Sequence, residues 1–309
     1  MSQHPWFLDR AYAVQQPLSA RFMPRVQPLL ESSTVDFGRL AHLQTAQSAE
    51  PDPLTLELLA ARTPYMSQAR IADGVAATVE AGLLAAVPGG YRLTDAGRAI
   101  TDGVAHAVAE GTAQPPAVAL ERLERLDALL ARQVDACSAV VAHDAVCLQG
   151  SRTFDPGPDA PVLSRIRRHI NDLVAFRDDA HMAAWRPLGL PGHAWEAFSH
   201  VWGENVFGDA VATPEALADK LGGFRGYDAD GYRAALRLAT DRGWLAEADG
   251  AFSVTDEGRR VRQVAEVETD RHYFAPWRLS DDEAAELEGL LEEVATQLAA
   301  EAETALASA

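Results

Sequence analysis

The chain has 309 residues, room for about two domains of ordinary size, and its 48% hydrophobic and 23% charged composition excludes wholesale disorder. Forty-five acids against 27 bases leave a net charge of −18, the reverse of a general polyanion binder, so a surface for nucleic acid would have to be a basic face on an acidic body. No apolar run approaches the roughly 18 residues of a membrane span, and Cys137 and Cys147 are too few for a disulfide framework and lack zinc-ligand spacing. Met1 to Arg10 holds no apolar signal core, so a cytoplasmic location is expected.

In chain order, the pattern predicts a helix near Asp36–Gln47 and a short helix over Pro53–Ala61, with proline in its first turn. A longer helix follows over Ser67–Ala81, with Ser67 as N-cap and Gly82 in the C-cap glycine position. Leu83–Ala86, a Pro88-Gly89-Gly90 turn and Tyr91–Leu93 then read as a hairpin, and Thr94-Asp95 caps the next helix. Val118–Cys137 is an amphipathic helix with Leu120, Leu123, Leu126 and Leu130 on its stripe.

Beyond a Pro/Gly/Asp-rich stretch at Phe154–Pro161, the same grammar repeats at one constant offset. Pro53 matches Pro214, Gly89 matches Gly250, Ile100 matches Val261 and Pro115 matches Pro276. The second set is Ala194–Gly203, Pro214–Leu221, Asp228–Arg242 with Gly243 behind it, a hairpin from Trp244–Glu247 and Phe252–Val254 around Asp249-Gly250, and a helix capped by Thr255-Asp256. Asp270–Trp277 reads as a docking turn ahead of the terminal helix Asp281–Ala302. The expected fold is mainly α with small β-hairpin wings, a tandem duplicated winged helix-turn-helix forming an internal pseudo-dimer. The expected boundaries are 1–150 for the first module, 151–161 for a linker and 162–309 for the second module.

The block Gly82-Leu83-Leu84, then Gly90-Tyr91-Arg92-Leu93-Thr94-Asp95-Ala96-Gly97-Arg98, resembles the wing and following helix of MarR-type winged-helix proteins. The doubled arrangement resembles a family of actinobacterial proteins with two tandem winged-helix modules. That resemblance implies descent from transcription regulators, with small aromatic effectors bound in clefts between subunits.

In this fold the longer helix of the turn motif enters the major groove, and exposed Arg, Lys, Asn and Gln do the reading. The first copy offers Gln68 and Arg70 with wing Arg92, beside acidic Asp73 and Glu80. The second offers Arg233 and Arg237 against Asp228, Asp230 and Asp241, with Ser253 in place of the wing arginine. The two readers differ and neither is strongly basic, so local charge weighs against DNA as a partner.

Ser164–Trp185 reads as one long helix in which Ile166, Ile170, Leu173, Val174, Ala184 and Trp185 share a stripe. Arg177 and His181, one turn apart, interrupt it, and a guanidinium on a core face requires either an acidic partner or a cavity. The corresponding first-half region, Ala11–Pro28, carries Gln15, Gln16 and Ser19 near the matching positions. Facing each other, the two segments would enclose a ligand site from Arg177, His181, Trp185, Phe176, Phe22 and Ser19, with aromatics and a few polar groups as its lining. Three roles are open to His181: a satisfied core residue, a pocket wall, or a metal or haem ligand. The spacings of His181, His193 and His200, 12 and 7, bring no pair within one turn of a single helix, so no metal site is assigned, and no motif requires a cofactor.

The expected function is small-molecule binding near His181. The alternatives are a ligand-responsive DNA-binding regulator and an enzyme of specialised metabolism with His181 as acid or base. Partners are then a small organic molecule, with DNA in the regulator reading and no membrane; a monomeric pseudo-dimer and a homodimer both fit.

Overall fold

The computed structural model describes His4 and residues 6–140, 145–203 and 210–307. The chain opens with α1 (Phe7–Ser32), whose buried stripe is Val14, Leu18, Phe22, Val26 and Leu30. It continues with α2 (Phe37–Ala49), α3 (Leu56–Arg62), α4 (Gln68–Glu80), the hairpin β1 (Leu84–Val87) and β2 (Gly90–Leu93), and α5 (Asp95–Thr112). After α6 (Leu120–Ser138), α7 (Val146–Arg152) and α8 (Val162–Trp185), the order of the first copy recurs. The recurrence is α9 (Gly192–Trp202), α10 (Pro214–Leu217), a π-helical turn at Ala218–Gly222, α11 (Gly223–Arg225), α12 (Ala229–Thr240), the hairpin β3 (Leu245–Ala248) and β4 (Ala251–Val254), and α13 (Asp256–Phe274). The terminal helix is α14 (Asp281–Ala307). The fold is thus mainly α with two small antiparallel hairpins, a winged helix-turn-helix order occurring twice.

Local chemistry accounts for most of these boundaries. Asp36, Thr55, Asp228 and Thr213 each accept a first-turn amide at the N-termini of α2, α3, α12 and α10. Gly82 and Gly243 leave α4 and α12 at φ 71° and 73°. In the second wing Asp249 and Gly250 both have positive φ, as a two-residue type I′ hairpin requires. Gly97 and Gly258 occupy matching places in the two copies for one steric reason. A Cβ there would lie 2.2 Å from the Leu83 carbonyl oxygen or 2.1 Å from that of Trp244, so the first turn of α5 or α13 could not sit on the strand entry.

Three expectations need correction. Pro53 lies outside α3, because Leu54 exchanges two backbone hydrogen bonds with Tyr91 and extends the first wing as a third short strand (2.8 and 2.9 Å). Asp270–Phe274 is the last part of α13 rather than a turn; the turn begins after Phe274, and Tyr273 and Trp277 are buried. The Leu120 stripe residue of α6 is exposed, whereas Leu123, Leu126, Leu129 and Leu130 carry the burial.

The chain divides into two compact units that interleave in sequence. Unit 1 comprises Met1–Leu54, Thr78–Asp179 and Tyr273–Ala309. There α1 packs on α5 and α14, and α6 packs on α14. Unit 2 comprises Thr55–Ala77 and Ala180–His272, with α12 packed against α9 and α10. Among the described residues, no helix is long and apolar enough to cross a membrane.

Candidate functional site

Within unit 2, the arginines of the second reading helix are neutralised by nearby carboxylates. Arg233 pairs with Glu215 at 2.5 Å, and Arg237 lies 3.8 Å from Glu247. Arg242, just beyond α12, donates to the carbonyls of Leu188 and Gly189 and lies 5.2 Å from the Trp244 ring centre. In the first copy Gln68, Arg70 and Arg92 are exposed, and neither Arg70 nor Arg92 forms an ion pair among the described residues. The first amide of that reading helix is engaged, however: the Ser67 N–H donates to the Arg225 carbonyl at 2.9 Å.

The six residues expected to enclose a ligand fall into two sets. His181 and Trp185 belong to unit 2. The Trp195 indole N–H points at His181 Nε2 (3.4 Å), while Nδ1 lies 3.2 Å from the Thr269 hydroxyl, which itself donates to the Ala265 carbonyl. The tautomer with hydrogen on Nδ1 satisfies both contacts, and the Trp195 N–H then faces the Nε2 lone pair that a metal or haem iron would need. Trp185 stacks on Trp195 with ring centres 6.0 Å apart, and Arg262, missed in the sequence, lies between Trp195 and Trp202 at 4.8 and 4.6 Å. Arg262 also pairs with Glu266 at 2.8 Å, an i,i+4 spacing that was available to find it.

Phe22, Ser19, Phe176 and Arg177 belong to unit 1, where the two segments expected to face each other do so. The helices α1 and α8 run antiparallel past one another. The Gln15 amide donates to Asn171 Oδ1 at 2.5 Å, and the Arg167 guanidinium lies 5.1 Å from the Phe22 ring centre. Farther along, Tyr12 feels the charges of Asp178 and Arg177. Ser19, between Gln15 and Phe22, donates to the Gln15 carbonyl at 2.8 Å. Phe176 is turned to the core against Tyr273, 5.9 Å between ring centres.

Asp178 and Asp179, neighbours on α8, differ in environment. Asp179 accepts the backbone amides of Cys147 and Leu148 at 3.0 and 2.8 Å, serving as a cap for α7 supplied from another helix. Asp178 keeps solvent contact, yet the surrounding protein displaces enough water to push its carboxyl up to about 6; Arg177 opposes that rise and Asp179 adds to it. Arg167 moves the other way. Burial pulls it down to about 10, and the like charge of Arg168 adds to the effect.

Residues 155–305, just under half of the chain, match the model of a helix-turn-helix family. No curated protein and no solved structure matches the chain. The match spans α8 to α14, and the second copy is therefore of the helix-turn-helix type.

Proposed function

We propose that this protein binds a small organic molecule on the facing surfaces of α1 and α8, within a tandem winged-helix chain of MarR-like descent. The observation that carries this reading is the antiparallel meeting of the two helices in unit 1. Neutral hydrogen-bonding groups, a phenyl ring and a half-buried cation share that surface, a combination suited to an apolar or aromatic body with one polar group. The test is a thermal-shift screen of aromatic compounds in which each hit is repeated on Ser19→Trp, a variant that fills the surface. Stabilisation that grows with ligand concentration in the wild type and vanishes in Ser19→Trp is expected. Equal stabilisation of both proteins would place binding elsewhere and end the assignment.

A second reading, DNA contact through the reading helix of the first copy, is favoured by the exposure of Gln68 and Arg70, whereas Arg233 and Arg237 each lie near a carboxylate. A single usable reader fits a site without twofold symmetry. Mobility shift on DNA upstream of the gene should then weaken in Arg70→Ala, with the logarithmic salt slope reduced by about 1. Equal loss from Arg233→Ala/Arg237→Ala would refute the assignment to one copy.

A further inference from the structure

Among the described residues Arg167 has no counter-charge, and the chain is otherwise generous with them. Acids outnumber bases by 45 to 27, and four other poorly exposed arginines have a carboxylate. Arg165 has Asp127 and Glu124, Arg168 has Asp172, Arg225 has Glu196 and Arg262 has Glu266. Among the described residues Arg167 makes no hydrogen bond and no ion pair; its one contact of note is the Phe22 ring. One step of helical phase explains the difference between neighbours. The residue four beyond Arg168 is Asp172, whereas the residue four beyond Arg167 is Asn171, whose oxygen already accepts the Gln15 amide. A half-buried guanidinium is costly without an anion, and this one lies on the surface where α1 and α8 meet.

We infer that Arg167 anchors an anion-binding site that takes the acidic group of a small organic acid, with the apolar body of that molecule lying on the solvent side of the α1–α8 surface. The guanidinium offers paired donors to a carboxylate, sulfonate or phosphate. The buried Phe22 ring beneath it holds the guanidinium by a cation–π contact. This inference rests on the proposed ligand surface and adds the charge of what occupies it.

Two fluorescent probes separate the claims: 1-anilinonaphthalene-8-sulfonate, and N-phenyl-1-naphthylamine, the same rings without the sulfonate. Saturable binding of the sulfonate at one equivalent is expected in the wild type, weakened at least tenfold in Arg167→Gln and partly kept in Arg167→Lys. The neutral probe should bind wild type and Arg167→Gln within twofold of each other. Arg167→Gln should fold with an unchanged or raised melting temperature, since it removes an uncompensated cation. Should that variant fail to fold, the wild type decides: added chloride must weaken the sulfonate and leave the neutral probe unchanged. Undiminished sulfonate binding in folded Arg167→Gln, or equal salt response of the two probes, would overturn the anion site while leaving the ligand surface standing. Displacement of the sulfonate by an equal concentration of inorganic phosphate would overturn the organic-acid assignment. Saturable binding of neither probe would remove both the anion site and the surface it rests on.

Discussion

Asp172 is fully buried; it accepts from Ser151 Oγ at 2.6 Å and Arg152 Nη1 at 3.1 Å, and it pairs ionically with Arg168, whose Nε lies 3.0 Å away. Removing the carboxylate strands a buried guanidinium, so Asp172→Ala should lower the unfolding free energy by about 3–5 kcal/mol, read from urea denaturation. His200 gives the complementary pH signature. It is 4% exposed; burial first, then the cations Lys220 and Arg225, push its pKa from 6.5 down to about 4. The folded value lies below the unfolded one, so the unfolded state takes up the proton first as pH falls. Stability from the neutral ring is complete above pH 6.5 and is lost as pH drops toward about 4, for a total of about 3 kcal/mol. Stability measured across that window should fall steeply in the wild type and more shallowly in His200→Gln; parallel curves would assign the acid sensitivity to other groups.

At the scale of elements, α1 continues through Pro17, Pro24 and Pro28, each of which removes a backbone donor and crowds the preceding turn. The helix persists because Val14, Leu18, Phe22, Val26 and Leu30 are buried along one side, and burying such side chains is worth about 1.5–3 kcal/mol each. Pro24 is exposed and its ring supplies no core contact. Pro24→Ala should therefore restore a helical hydrogen bond and raise stability by about 1–2 kcal/mol, less than the full helix-interior penalty because the unfolded chain gains freedom. A lower melting temperature would mean that the proline is needed for the packing of α1. Elsewhere the elements were legible from sequence. Ser67, Thr94, Asp228 and Thr255 all cap the helices assigned to them, because a cap depends on residues three positions apart. Pro53 misled because proline suits a helix start and a strand edge equally, and only the pairing of Leu54 with Tyr91 decides between them.

For the whole molecule, the surplus of acids sets the response to salt. The α6 and α14 helices carry exposed pairs, Arg122–Glu293 at 2.5 Å, Arg125–Glu286 at 2.6 Å and Arg132–Glu283 at 2.8 Å, each worth about 0–1 kcal/mol. Repulsion within a net charge of −18 is the larger effect. Thermal stability should rise as sodium chloride increases, and a fall would show that the ion pairs dominate.

The pattern along the chain shows most of the elements, their caps and both wings, and the recurrence of their order. These are matters of spacing within a few residues and of backbone angles open to glycine. What cannot be read along the chain is that Arg233 and Arg237 lie near carboxylates while, among the described residues, Arg70 and Arg92 form no ion pair, and that Thr269 and Trp195 face the two ring nitrogens of His181. The same holds for Arg167, which lies over Phe22 with no ion pair among the described residues. Those outcomes depend on side chains brought together from separate elements, and periodicity along one helix shows which face a residue takes but not which partner meets it there.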